Sequence, residues 1–172
     1  MLQRQRGFTL IELIVVIIIL GILAVVAAPK FVDVRDEAQQ ATIKGVGAAF
    51  KAGVDQVHLA WQLRGNGQAV QDFIKDANQI VSSTNPNHRH LSVNSFGYPA
   101  DSRGTSLTMN STNDCIDVWN SVMDTQGATV NSNDSEDYRA RYSASTCTYE
   151  YVAEPSYTIF YNSNTGEVTV NL

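Results

Sequence analysis

Charge is scarce in this chain, and basic charge scarcer still: Asp, Glu, Lys and Arg make up 17% of it, with 12 basic residues against 17 acidic ones. The formal net charge of −5 excludes a nucleic-acid-binding surface, which needs a basic stripe or patch. Catalytic signatures are missing as well. No Ser/His/Asp or Cys/His set sits in a motif context, and no glycine loop is built to cradle phosphate, so neither an enzyme nor a cofactor is expected. Metal-ligand spacing is also absent. His88-Arg89-His90 places two histidines around an arginine, a pattern more typical of a solvated loop. The oxygen-rich run Asn131 to Asp137 lacks the glycine and the terminal bidentate acid of a calcium loop. Cysteine is limited to Cys115 and Cys147. An even count favours one disulfide if the segment is exported, and two thiols if it is not. The compartment therefore decides.

What is present settles that question near the N-terminus. With 172 residues the chain has room for one domain and a small appendage, and its apolar residues are concentrated in one run. From Phe8 to Ala28 the sequence reads FTLIELIVVIIILGILAVVAA, with Glu12 as its single charge. As a helix at 1.5 Å per residue this run is roughly 31 Å long, the thickness of a bilayer's hydrocarbon. Arg4 and Arg6 precede it, which puts the N-terminus in the cytoplasm and everything beyond Pro29 outside. A secretory signal cut after Val26-Ala27-Ala28 is the rival reading. Against it stand a run longer than an ordinary signal core and Pro29 directly after the cut. Glu12 is the discriminating residue. A carboxylate within an apolar span is costly and normally has a partner, either interfacial water or a cation from another chain.

Gly7-Phe8-Thr9-Leu10-Ile11-Glu12 after a short basic leader resembles the prepilin-peptidase site of type IV pilins and type II secretion pseudopilins, and the resemblance extends through the apolar run to Pro29. It implies cleavage between Gly7 and Phe8 by a membrane prepilin peptidase that also methylates the new Phe8 amine. It further implies charge pairing of that amine with Glu12 of a neighbouring subunit. Loss of Arg4 and Arg6 with the leader takes the formal charge from −5 to about −7. The implied partners are further copies of the chain in a helical homopolymer and the pilus assembly machinery of the inner membrane. A surface or host receptor is left unspecified. The implied fold is α+β: a long N-terminal helix, its first half transmembrane, with its C-terminal half packed on an antiparallel sheet. The expected domains are a leader at 1–7, a helix over 8–66 that crosses the membrane at 8–28, and a head at 67–172.

The pattern beyond the span agrees with this plan. Val46, Phe50, Val54, Val57 and Trp61 repeat at helical spacing, and Gly65-Asn66-Gly67 supplies a stop. Gly21 and Pro29 weaken or kink a helix between them, and the resemblance implies that Gly21–Pro29 loses helicity in a fibre. Gly45, Gly47 and Gly53 point to close packing against the head's sheet, or to flexibility. Residues 68–81, with Val70, Phe73, Ile74, Ala77, Ile80 and Val81, predict a short second helix. Ser82 to His90 predicts a polar loop, Leu91–Phe96 an edge strand, and Cys115–Met123 a helix capped by Asn113 or Asp114. Tyr138–Ser143, Cys147–Ala153, Tyr157–Tyr161 and Glu167–Val170 predict antiparallel strands, with a hairpin loop at Asn162 to Gly166. Tyr149, Tyr151, Tyr157 and Tyr161 read as sheet packing, with an exposed sugar-stacking platform as the lesser alternative.

A Cys115–Cys147 bridge resembles the C-terminal disulfide of type IVa pilins. Closing a loop of roughly thirty residues, it would contribute about 3–4 kcal/mol by chain entropy. A narrower resemblance lies in Ala27–Phe31 (AAPKF), Gly45–Phe50, Phe96–Ala100 (FGYPA), Asp114–Trp119 (DCIDVW) and Tyr157–Val168. These segments look like the pilins of mannose-sensitive haemagglutinin (MSHA) pili. They imply a major pilin for attachment in a Gram-negative bacterium, its head periplasmic before assembly and extracellular after it. A pseudopilin or minor pilin is the alternative, and a Sec-secreted soluble binding protein the outsider.

Overall fold

The computed structural model describes residues 8–65, 67–75, 90–102, 106–123 and 127–172. The leader, with Gly7, and the expected loop up to Arg89 lie outside the described residues, as does the side chain of His90. Helix α1 spans Leu10–Arg64. The chain divides into two compact units, Met1–Ala41 and Thr42–Leu172, with the boundary inside that helix.

In the first unit α1 carries the apolar window Leu10–Ala27, with a mean hydropathy of 3.3 and none of it buried. It is the one helix among the described residues long and apolar enough to cross a membrane. The helix continues without a break past Gly21 and Pro29, although Pro29 has no N–H to donate.

In the second unit the remainder of α1 forms the spine of the core. Ile43, Phe50, Val54 and Val57 recur at three- to seven-residue intervals and are buried, so one stripe of the helix faces inward. Helix α2, Thr112–Val122, packs beside it. Strands β1 (Val70–Lys75), β2 (His90–Val93) and β3 (Pro99–Asp101) form one antiparallel sheet in that order. Strands β4 (Val130–Asn131), β5 (Tyr138–Ser143), β6 (Thr146–Tyr151), β7 (Thr158–Asn162) and β8 (Glu167–Asn171) form the second, in sequence order. The four long strands match the alternation of the sequence. β4 does not, because two residues carry no periodicity, and it pairs parallel to β5.

The main core is aromatic. Phe50 of α1 stacks on Trp119 of α2 at 5.2 Å between ring centroids and meets the edges of Tyr149 and Tyr161 at 5.3 and 5.6 Å. Three buried rings that carry a polar atom give it a partner, as burial demands. Tyr149 donates to the Cys115 carbonyl (2.9 Å), Tyr161 to that of Pro99 (2.8 Å), and the Trp119 indole to that of Ala128 (3.0 Å). Of the three α1 glycines in the second unit, Gly45, Gly47 and Gly53, two have a packing reason. A Cβ on Gly47 would overlap a Val170 methyl on β8, and one on Gly53 would lie 2.5 Å from the Val122 carbonyl oxygen at the end of α2. Gly53 thus packs on a helix end rather than on the sheet, and Gly45 meets nothing within 4 Å.

Three expected elements are corrected. The helix expected over 68–81 begins as β1. Its Val70, Phe73 and Ile74 mimic helical spacing because the strand is bulged: Val70 pairs with Val93 and Ile74 with Leu91, four residues against two, with Asp72 at φ +51° in the irregularity. The three side chains pack around Val57, Leu91 and Val93, a tertiary pairing that overrides the local pattern. Residues 76–81 lie outside the described ones. Second, Leu91–Phe96 is not an edge strand. β2 is the centre of its sheet and stops at Val93, because Asn94 opens a tight turn. Third, the cap of α2 is Ser111. Its hydroxyl accepts from the Asp114 N–H, while the Asp114 carboxylate accepts from the Ser111 N–H, a reciprocal capping box. Asp114 is therefore the third helical residue and not the cap.

Candidate assembly site

The candidate site is the start of α1. Phe8 is 90% exposed and precedes the helix. Thr9 and Glu12 close the helix end between them. One Glu12 carboxylate oxygen accepts from the Thr9 N–H and from its hydroxyl, both at 2.8 Å, and the Glu12 N–H donates back to the Thr9 Oγ1 at 3.3 Å. This is a second capping box, satisfying donors that the first helical turn leaves open. The pattern Thr9-x-x-Glu12 ahead of an apolar run is a readable signal for it, and Thr9 is a capping residue to which the sequence expectations assign no role. A carboxylate at a helix N-terminus also meets the positive end of the helix dipole, an attractive arrangement.

Phe8 and Glu12 are not joined as an ion pair in the uncleaved chain. With residue 7 attached, the Phe8 nitrogen is a peptide nitrogen without charge, and only cleavage turns it into an ammonium. Gly7 lies outside the described residues. Gly21 has open space around it, with nothing within 4 Å of where a Cβ would stand. The backbone of Pro29 belongs to α1. The chemistry available here is association: a charged, capped helix end on an apolar helix that no part of its own unit covers.

The second unit is closed by a disulfide. Cys115 of α2 and Cys147 of β6, both fully buried, form a disulfide with a Cα–Cα distance of 5.6 Å across a sequence separation of 32. Tyr149 and Tyr161 are fully buried, and Tyr151 and Tyr157 pack half-buried against the same core. Loss of hydration pushes the Tyr149 phenol well above its usual range. It does the same for Tyr161, with Tyr149 and Tyr98 adding to the effect, and for Tyr138, with Tyr151 and Asp137 adding. Side-chain oxygens of Asn133, Asp134 and Asp137 in the Asn131–Asp137 run are engaged within the protein. Asp137 accepts from the Thr129 N–H (3.1 Å), Asn133 from the Ser135 N–H (3.1 Å), and Asp134 pairs with Arg139 (2.7 Å). Arg139 also pairs with Glu150 opposite it on β6, which Arg141 reaches from the same strand as Arg139. Among the described residues no group of three or more His, Cys, Asp or Glu side chains is placed to hold a metal.

Comparison with known proteins bears on the same N-terminal segment. A family profile described as the prokaryotic N-terminal methylation motif matches residues 2–28. The type IV narrow pilus major component PilA5 of Thermus thermophilus is 51% identical over 50 residues, 29% of this chain and 43% of that protein. Fimbrial protein Q of Moraxella bovis is 39% identical over 75 residues, 44% of this chain and 48% of the relative. The type II secretion system core protein G of Pseudomonas aeruginosa is 42% identical over 57 residues, 33% of this chain and 40% of the relative. In each, the match spans less than half of the relative's own length. No solved structure matches the chain.

Proposed function

We propose that this chain, which is type IV pilin-like, is the major structural subunit of an adhesive pilus of the MSHA kind. It is held in the inner membrane of a Gram-negative bacterium until assembly and lies outside the cell afterwards. One observation carries the proposal: the apolar window Leu10–Ala27, entirely unburied, falls within the segment that matches a methylation motif. A helix of that kind needs lipid before assembly and other helices after it. Each copy offers the same helix and the same capped end, so a head-to-tail contact repeats without closing and generates a fibre. Cleavage after Gly7 leaves the span intact as an anchor and creates the Phe8 ammonium. Methylation of that amine by the prepilin peptidase leaves its positive charge in place. Glu12 of a neighbouring copy is its counter-charge. Gly21–Pro29, the segment that combines a weak helix former with the residue lacking a backbone donor, unwinds as helices crowd together in the fibre.

The resemblance over 57 residues to the secretion-system core protein G favours a second reading, a pseudopilin. The disulfide-closed head favours the pilus, since the pseudopilins that the leader resembles generally lack that bridge. N-terminal sequencing of the mature protein tests the shared part of both readings. A start at methylated Phe8 supports them, whereas a start at Pro29 identifies an exported soluble protein and ends them.

A further inference from the structure

Five asparagines precede a serine: Asn94, Asn110, Asn120, Asn131 and Asn162. In such a pair the serine's backbone nitrogen is a nucleophile within reach of the asparagine Cγ, and its attack closes a five-membered succinimide. In four of the pairs the fold directs these groups elsewhere. The buried Asn94 accepts at Oδ1 from the Phe96 and Tyr98 N–H groups (3.0 and 3.1 Å), and its Nδ2 donates to the Ser163 carbonyl (2.6 Å). The Ser111 N–H donates to the Asp114 carboxylate at 3.1 Å in the capping box, and Asn120 and Ser121 lie within α2. The Ser163 N–H donates to the Ser145 carbonyl at 3.1 Å. Asn131 differs. It ends β4, an edge strand of the five-stranded sheet, and is half-buried. The Ser132 N–H donates to Asn131's own Oδ1 at 2.7 Å, while Asn131 Nδ2 donates to the Ser135 Oγ at 3.2 Å. With a C=O bond of about 1.2 Å, the 2.7 Å contact leaves the Ser132 nitrogen within about 3.9 Å of the Asn131 Cγ. The same hydrogen bond draws electron density onto Oδ1 and makes Cγ more electrophilic.

We propose that Asn131–Ser132 is a self-modification site, at which the carboxamide becomes a carboxylate through a succinimide. Rotation about the Cβ–Cγ bond turns Cγ toward the Ser132 nitrogen. Water takes the proton of that N–H, the N–Cγ bond forms and the Cγ–Nδ2 bond breaks. Nδ2 gains a proton from water and leaves as ammonia, with the Ser135 hydroxyl beside it. A second water then opens the ring. Opening at Cγ gives aspartate, and opening at the Asn131 backbone carbonyl gives isoaspartate. Water is consumed and ammonia released, with no oxidation or reduction. Holding nucleophile and electrophile together is what accelerates the first step. The aspartate product places a new negative charge opposite Arg139, the partner of Asn131 on β5. The isoaspartate product lengthens the main chain by one methylene and breaks the pairing of β4 with β5. The site belongs to the single chain, so it stands whether or not copies polymerise.

The purified full chain, kept folded in detergent, would be aged at mildly alkaline pH in water enriched in heavy oxygen, and each asparagine followed by peptide mapping. Asn131 is expected to convert on the order of tenfold faster than Asn94, Asn110, Asn120 or Asn162, with heavy oxygen in both products. In urea the five rates are expected to converge, because all five are Asn-Ser and only the fold separates them. Asn66, which precedes Gly67, lies outside the described residues and is quantified separately. Ser132→Pro removes the attacking N–H, and the extended Asn131 before it suits a proline. This variant is expected to stop conversion at Asn131 with the urea midpoint unchanged. Should it fail to fold, Ser132→Val crowds the same nitrogen and is expected to slow conversion severalfold. Conversion of Asn131 no faster than the other four in the folded chain overturns the proposal, as does conversion that persists in folded Ser132→Pro or at an undiminished rate in Ser132→Val.

Discussion

Under the proposed function Glu12 has two partners in succession. In the uncleaved chain its carboxylate closes the helix end through Thr9. On that proposal the neighbour's Phe8 ammonium, once cleavage creates it, competes for the carboxylate that Thr9 holds against the helix end. Glu12→Ala is therefore expected to insert and to be processed, yet to assemble poorly. Glu12→Gln keeps the shape and a weaker cap without the charge, and is expected to share the assembly defect. Counting fibres per cell by electron microscopy, with processing followed by mass spectrometry, checks both. Normal piliation of Glu12→Ala would remove the case for charge pairing. Residue-scale burial also sets an alkaline limit. Tyr138, Tyr149 and Tyr161 are held neutral above their ordinary range by loss of hydration. The unfolded chain releases these protons near pH ~10 while the folded chain retains them. Their contribution is thus fully present below pH ~10 and is lost as pH rises past it. A urea midpoint that is flat from about pH 8 to about 9.5 and then falls is the expected profile.

At the scale of elements, the disulfide joins α2 to β6 and closes a separation of 32 residues. Replacing both cysteines by serine is expected to lower head stability by about 3–4 kcal/mol, read as a shift in urea midpoint with the structure otherwise retained. The same scale shows which elements are legible in the sequence. β5 to β8 alternate cleanly because one face is buried, and α1 carries its stripe from Ile43 to Val57 for the same reason. β1 is illegible because a bulge at Asp72 breaks the period of two and gives its apolar residues helical spacing. β2 is misplaced because its neighbours in the sheet, β1 and β3, cannot be read, so nothing in its own four residues marks it as central. Of the candidate site, Glu12 is legible from a charge inside an apolar run, and Phe8 only through the resemblance of the Gly7–Glu12 motif. Thr9 is harder to pick out although Thr-x-x-Glu is a local signal, because a lone acid in an apolar span directs attention to a cation on another chain.

At the scale of the molecule, the chain joins an apolar helix that demands company to a head that is closed on itself. The helix end has the chemistry to pair with a second copy, and the head has a buried bridge and a core of stacked rings. Those properties suit a building block more than a catalyst, and the similar proteins are named as components of pili and of a secretion system. The proposal that this chain forms the body of a surface fibre, and not part of a secretion machine, predicts its abundance and arrangement outside the cell. Cryo-electron microscopy of sheared surface fibres, with their protein composition measured in the same sample, tests it most directly. The expected result is fibres composed predominantly of this chain, beginning at Phe8, with α1 helices packed in the interior and helicity interrupted within Gly21–Pro29. Fibres in which this chain is absent or a trace component would contradict the central claim.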